Sequence, residues 1–263
     1  MKQICCLLLC ASLMAGCGSD DADHVTERTV LRIGTDATYP PFETVNPETG
    51  TPEGFDIDLI TAVCELNDWQ PEFIVTPFDG IIPGLRNEKY DVVISAMTIT
   101  PERAVVVDFT NPYYVAGQTI AVPLDDSLTA TVEDLVGLRV GVQLGTTGEL
   151  MAKRMDGLHV FSFDNIGAAF IDMSNGNLDA VLNDFPTTQA YISKHGTAKT
   201  VGEILSTEFY GMAVRKGDQT LLDAINKALG EIKSGERYNM LHLKWFDSPP
   251  VPGLMPDSTW LDE

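Results

Sequence analysis

Cysteine is nearly missing from the body of this 263-residue chain: Cys5, Cys6, Cys10 and Cys17 crowd the extreme N-terminus, and only Cys64 lies beyond it. A single thiol cannot close an internal disulfide. No cysteine pair is left for a zinc site, and His24, His159, His195 and His242 lack the spacing of metal ligands, so neither a metal nor a cofactor is expected. Basic residues are also few, 17 Lys and Arg against 38 Asp and Glu, for a net charge of −21. That excess excludes strong non-specific nucleic-acid binding. It keeps an exported protein soluble, and it would draw in a cationic ligand. Long apolar runs are missing too. The longest, residues 4–13, is well short of the roughly 20 residues needed to span a bilayer.

What the N-terminus does have is Met1 and Lys2, that apolar run, and Met14-Ala15-Gly16-Cys17. This is the plan of a signal peptide over residues 1–16, to be excluded from fold reasoning. The last four residues resemble the lipobox of bacterial lipoproteins, in which the cysteine becomes the acylated first residue; an ordinary signal peptide cleaved elsewhere is the alternative. Residues 17–28 are polar, acidic and without hydrophobic period, as in a flexible tether. The roughly 230 residues that follow are enough for two small lobes.

Beyond the tether, short apolar runs alternate with amphipathic segments. Strands are expected at 30–35, 72–75, 91–97, 138–144, 159–163 and 178–182, and helices at 55–66, 79–86, 147–155 and 166–174. Cys64 falls on the apolar side of the first helix, as a buried structural thiol would. Thr100-Pro101 reads as an N-cap followed by proline at the first helical position, and Thr131 with Asp134 as a capping box. The class is α/β with mostly parallel sheets flanked by helices. The chain also repeats itself: Leu31-Arg32-Ile33-Gly34 returns as Leu138-Arg139-Val140-Gly141, and 87–93 returns as 175–181. Two lobes of similar plan follow.

In open parallel sheets ligands sit beyond the carboxyl ends of the strands. That rule singles out 36–42, 95–103, 143–148 and 183–186, which carry groups suited to a zwitterion. Arg103 offers a planar fork to a carboxylate. Thr98, Thr146 and Thr147 add hydroxyl and backbone donors, and Gly145-Thr146-Thr147-Gly148 opens a helix whose N-terminus favours an anion. Asp184, ending a strand, can accept from an ammonium, while Tyr39 and Phe78 supply aromatic faces. Each has a plainer reading as well: Arg103 in a surface ion pair, Asp184 as a helix cap, Tyr39 as core.

Six segments in order decide between these readings by resemblance. Residues 34–42 (GTDATYPPF), 54–59 (GFDIDL), 78–83 (FDGIIP), 95–103 (SAMTITPER), 145–147 (GTT) and 179–184 (DAVLND) resemble the polar amino acid-binding proteins of ABC importers, the extracellular solute-binding proteins of family 3. The likeness covers nearly all of 29–247. It implies a two-lobed fold of the type II periplasmic binding protein kind, with lobe 1 at 29–115 and 212–263 and lobe 2 at 116–211. Two crossing strands near Val115 and Met212 would join them. It further implies that Arg103 clamps the ligand carboxylate with Thr98 and Thr147, that Asp184 holds the α-amino group, that Ser95 or Ala96 lends a carbonyl, and that Tyr39 and Phe78 sandwich the side chain. A second cysteine that some relatives place after the position of Cys64 is replaced here by Gln70 and Pro71.

The implied mechanism is hinge closure around a free amino acid, followed by delivery to membrane permease subunits. A lipid on Cys17 would hold a monomeric protein at the periplasmic or extracellular face of the membrane. Asp36, at the mouth of the first strand, and the aromatic faces point to a basic amino acid (arginine, lysine or histidine). Glutamine is the alternative, since Asp36 and Asn183 can pair with an amide. A dehydratase on the same fold would recruit Asp36, Glu149 or Asp184 as a catalytic acid, and a sensory module is the remaining class.

Overall fold

A computed structural model of the protein describes residues 29–251. The signal peptide, Cys17 and the tether therefore lie outside the described residues. The first part of the chain runs β1 (Thr29–Thr35), β2 (Thr38–Tyr39), β3 (Glu43–Val45), β4 (Pro52–Glu53), α1 (Phe55–Leu66), β5 (Trp69–Val75), α2 (Phe78–Arg86) and β6 (Val92–Val93). It continues through α3 (Pro101–Ala104), β7 (Val107–Phe109), β8 (Tyr114–Ala116), β9 (Gln118–Pro123), β10 (Arg139–Gln143), α4 (Thr147–Arg154), β11 (His159–Phe163) and α5 (Ile166–Ser174). The last part is β12 (Ala180–Asp184), α6 (Phe185–His195), β13 (Ala198–Val201), β14 (Glu208–Tyr210), β15 (Ala213–Arg215), α7 (Gln219–Ser234) and α8 (Glu236–Phe246).

Two five-stranded sheets result, in the orders β5-β1-β6-β15-β7 and β11-β10-β12-β9-β13. Their plans coincide. β1 meets β6 with Ile33 opposite Val92, and β10 meets β12 with Val140 opposite Ala180, so the registers match the sequence repeat. The repeat also reproduces a clamp: the Arg32 guanidinium holds both oxygens of Asp91 (Nη2 to Oδ1 2.7 Å, Nε to Oδ2 3.0 Å), and Arg139 holds Asp179 in the same way at 2.7 and 3.1 Å.

Sheets expected to be mostly parallel are mixed, half of the pairings in each being antiparallel. The cause is the double crossing between lobes. After β8 the chain enters the second sheet as β9, antiparallel to β12; after β14 it returns to the first sheet as β15, antiparallel to β6. β8 and β14 pair with each other, Phe209 opposite Val115, and form the hinge.

Helices α1 and α5 and strand β11 fall on their expected spans, and Cys64 is fully buried in α1, where burial pushes its thiol up to about 12. α1 buries Phe55, Leu59, Ile60 and Val63, each contributing roughly 1.5–3 kcal/mol on leaving water. The strand expected over 91–97 pairs only at Val92–Val93. Beyond it Ala96 takes a positive φ of 43°, which turns the backbone out of the sheet and into the cleft. Thr131 and Asp134 cap a single 3-10 turn, Val132–Leu135, the Thr131 N–H donating to the Asp134 carboxylate at 2.9 Å. The lobes are closed on one another: Phe170 of α5 belongs to the same buried apolar cluster as Tyr39 and Phe42.

Candidate ligand-binding site

Between the lobes lies a narrow cavity with about 290 Å³ of atom-free space. Asp36, Tyr39, Phe78, Ser95, Ala96, Thr98, Arg103, Thr146, Thr147 and Asp184 all line it, whereas Asn183 and Glu149, also named from the sequence, do not. Two more line it that sequence reasoning did not name as site residues, Glu43 and Gln143.

Arg103 follows the N-cap of α3, where the Thr100 hydroxyl accepts from the Arg103 N–H at 3.2 Å. That turn throws the guanidinium across the cleft. Nη1 donates to the Thr98 carbonyl at 2.7 Å and Nη2 to the Gly145 carbonyl at 3.1 Å, so its partners come from both sides. No carboxylate forms an ion pair with it among the described residues, and it is not the surface bridge of the plainer reading. Its guanidinium carbon stands 5.3 Å from the centre of the Phe78 ring, a cation–π contact. Burial lowers its pKa to about 10, which still leaves it cationic at neutral pH.

Asp184 ends β12 at the N-cap position of α6, yet its side chain does not cap that helix. It accepts instead from the hydroxyl of Tyr39 at 2.9 Å, from that of Tyr210, and from the Gln118 amide. Burial first, and the neighbouring Glu208 charge second, raise its pKa to about 7, against the pull of those three donors. Tyr39 spans the cleft, since its hydroxyl oxygen also lies 2.6 Å from Asn183 Oδ1 and shares its one proton between the two acceptors.

At the other end, Asp36 leaves β1 and accepts from Thr38 at 2.7 Å and, across the cleft, from Gln143 Nε2 at 2.9 Å. Burial raises its pKa. Gln143 Oε1 is buried without a partner and gives the cavity wall a further acceptor. Behind this wall, Glu43 takes the hydroxyls of Thr35 and Ser95, and Ser95 Oγ accepts the Asp36 N–H at 3.1 Å. Asp56 fixes the left-handed turn at Ala96 by accepting its N–H at 2.7 Å and the Tyr113 hydroxyl at 2.9 Å. Burial first, and the neighbouring Asp56 charge second, push the Glu43 carboxyl well above its ordinary value.

The threonines differ in one respect from simple donors. Thr98 Oγ1 at 2.7 Å and Thr147 Oγ1 at 2.8 Å both donate to Glu208 Oε2, so their hydroxyl protons are committed away from the cavity. Thr147 is the first residue of α4, and its backbone N–H is one of those a helix N-terminus leaves unpaired. Glu208 and Gln118 escaped sequence reasoning because both sit in or beside the hinge, in runs without periodicity.

Two α/β lobes on a paired hinge, closed over a cavity with a cation at one wall and carboxylates at the others, define a protein built to enclose a small polar solute. The chain belongs to the bacterial extracellular solute-binding proteins, family 3, whose model matches residues 31–248. It is 33% identical over 252 residues to the ABC transporter arginine-binding protein 1 of Escherichia coli, covering 94% of this chain and 99% of that one. It is 31% identical over 258 residues to a probable histidine-binding protein of Neisseria gonorrhoeae, covering 93% and 95%. Among solved structures, an ancestral arginine-binding protein bound to arginine superposes with a TM-score of 0.80 at 45% identity, covering 83% of this chain and 99% of that one. An ancestral arginine-binding protein bound to glutamine also superposes with a TM-score of 0.80 at 45% identity, covering 84% of this chain and 99% of that one.

Proposed function

We propose that this protein captures a free basic amino acid (arginine, lysine or histidine) by closing its lobes, and delivers it to the membrane permease of an ABC importer. The carrying observation is the arrangement of charge around one cavity. Arg103, with backbone donors at Thr98 and Thr147, faces the α-carboxylate, Asp184 faces the α-ammonium, and Asp36 with Gln143 lies at the far wall. Among the described residues Arg103 is the single cation lining the cavity, with the carboxyl groups of Asp36 and Asp184 on its walls and Glu208 behind them. A zwitterion leaves that excess of negative charge uncorrected, whereas a cationic side chain between Tyr39 and Phe78 and against Asp36 offsets it. The names of the E. coli and N. gonorrhoeae relatives agree with a basic ligand. Glutamine is the second reading, favoured by the glutamine-bound ancestral structure and by the free Gln143 carbonyl.

Titration calorimetry tests the site. Arg103→Ala should abolish amino acid binding, at a cost of about 2–5 kcal/mol because it strands a desolvated carboxylate, and Arg103→Lys should restore it only partly. Asp36→Asn should weaken arginine much more than glutamine. Wild-type affinity in the alanine variant would refute the clamp.

The reading extends to the whole polypeptide. Residues 29–115 with 212–251 form one lobe and 116–211 the other, residues 252–263 of the expected first lobe lying outside the described residues, and the protein acts as an exported monomer anchored through lipid on Cys17 with 17–28 as its tether. Cys17→Ser should leave unacylated precursor while ligand binding by the folded body is kept. Acylation of the serine variant, seen by mass spectrometry, would contradict the anchor.

A further inference from the structure

Glu208 occupies the hinge strand β14, is buried, and makes four hydrogen bonds that reach both lobes. Oε2 takes the hydroxyls of Thr98, before α3, and Thr147, at the start of α4. Oε1 takes the Gln118 amide at 3.1 Å and the Ser206 hydroxyl at 3.0 Å. A hydroxyl has one proton to give and two lone pairs to offer. With both protons drawn to Glu208, the cavity-facing sides of Thr98 and Thr147 present lone pairs. The two protons of Gln118 Nε2 go to Asp184 Oδ1 and Glu208 Oε1, its contact with Thr147 Oγ1 at 3.2 Å being the longest of the three, and Thr98 keeps both of its lone pairs among the described residues. Toward a ligand these hydroxyls are acceptors. A carboxylate, itself acceptor-only, gains nothing from them, whereas an ammonium does.

We infer that Glu208 is a positioning residue that sets the polarity of the Thr98 and Thr147 hydroxyls, so that together with Asp184 they form a cage selective for the α-ammonium of the ligand. This deepens, and rests on, the amino acid-binding function above. It also explains why a second carboxylate stands beside Asp184 despite the repulsion between them. The cost is met by an ammonium that both carboxylates face, one directly and one through the hydroxyls. Because Thr98 and Thr147 lie on opposite sides of the cleft, the cage is complete only when the lobes are closed.

The test compares pairs of ligands that differ only in the ammonium, L-arginine with 5-guanidinopentanoate and L-lysine with 6-aminohexanoate, by calorimetry on the wild-type protein, Glu208→Met and Thr98→Val. Methionine keeps the volume of Glu208 and frees the hydroxyl protons to turn inward; valine keeps the shape of Thr98 and removes its lone pairs. Wild type should prefer each amino acid over its des-amino analogue. Both variants should weaken the amino acid by about ten- to hundredfold, the loss expected of a hydrogen bond to a charged group, while the analogue changes by less than about threefold. Equal weakening of both members of a pair, or no change in either, would overturn the assignment, because a merely structural role moves both alike. A wild type that binds none of the four overturns the function on which the inference rests, and is distinguishable by that outcome.

Discussion

Asp184 is the residue whose ionisation the ligand reports most directly. The groups facing it are Tyr39 from β2, Tyr210 and Glu208 from β14, Gln118 from β9 and Arg103 from α3. Burial and Glu208 hold its pKa at about 7, and an incoming ammonium favours the ionised form and lowers it. Binding therefore expels a proton, and affinity for the amino acid should fall as the pH drops below about 7, approaching tenfold per pH unit. Asp184→Asn should bind weakly and lose that slope; calorimetry from pH 5 to 8 on both proteins checks it. Arg103, Asp36, Asp184 and the threonines were legible in the sequence because each stands just past a strand whose apolar run is plain. Glu43, Gln118 and Glu208 were not. Their function lies in hydrogen bonds to residues up to 110 positions away, which no local pattern encodes.

At the scale of elements, the sequence repeat is also a repeat of close packing. A Cβ on Gly34 of β1 would come within 2.6 Å of the Tyr90 ring, and one on Gly141 of β10 within 2.5 Å of the Leu178 side chain. Tyr90 is locked by donating its hydroxyl to the Ile81 carbonyl at 2.6 Å. Gly34→Ala should therefore destabilise by about 1–3 kcal/mol, the usual cost of overpacking. Gly141→Ala should cost less, since a leucine can change rotamer where a tethered tyrosine cannot. Denaturant midpoints of the two variants check both the size and the order. The repeated Arg–Asp clamps are half-exposed, and loss of either arginine should change stability little. Helices α1, α2, α4 and α5 and the parallel strands were legible from apolar spacing and α3 from its cap, whereas α6, α7 and α8 were not foreseen. The antiparallel members β9 and β15 were not, because their direction follows from the crossing between lobes and not from their own residues.

For the molecule as a whole, stability and affinity should respond to pH in opposite senses. Burial lifts Asp56 and Asp184 to about 7 and Glu43 well above its ordinary value, each higher than in an unfolded chain. Between about pH 4 and 7 the folded state thus binds protons that the unfolded state has released. Stability from these groups is full below their unfolded values and lost as the pH rises through their folded ones. The ligand-free protein should melt at a higher temperature near pH 5.5 than near pH 8, helped by the shrinking of its negative charge. Two lobes and the cleft between them were foreseeable from the repeat and the six matching segments. The most direct measurement is the melting temperature of the purified protein at pH 7.5 against each of the twenty amino acids. A bound ligand raises it with the logarithm of concentration over dissociation constant. The account predicts the largest rises for arginine, lysine or histidine and none for acidic amino acids; a rise confined to glutamine, or no rise with any amino acid, would contradict it.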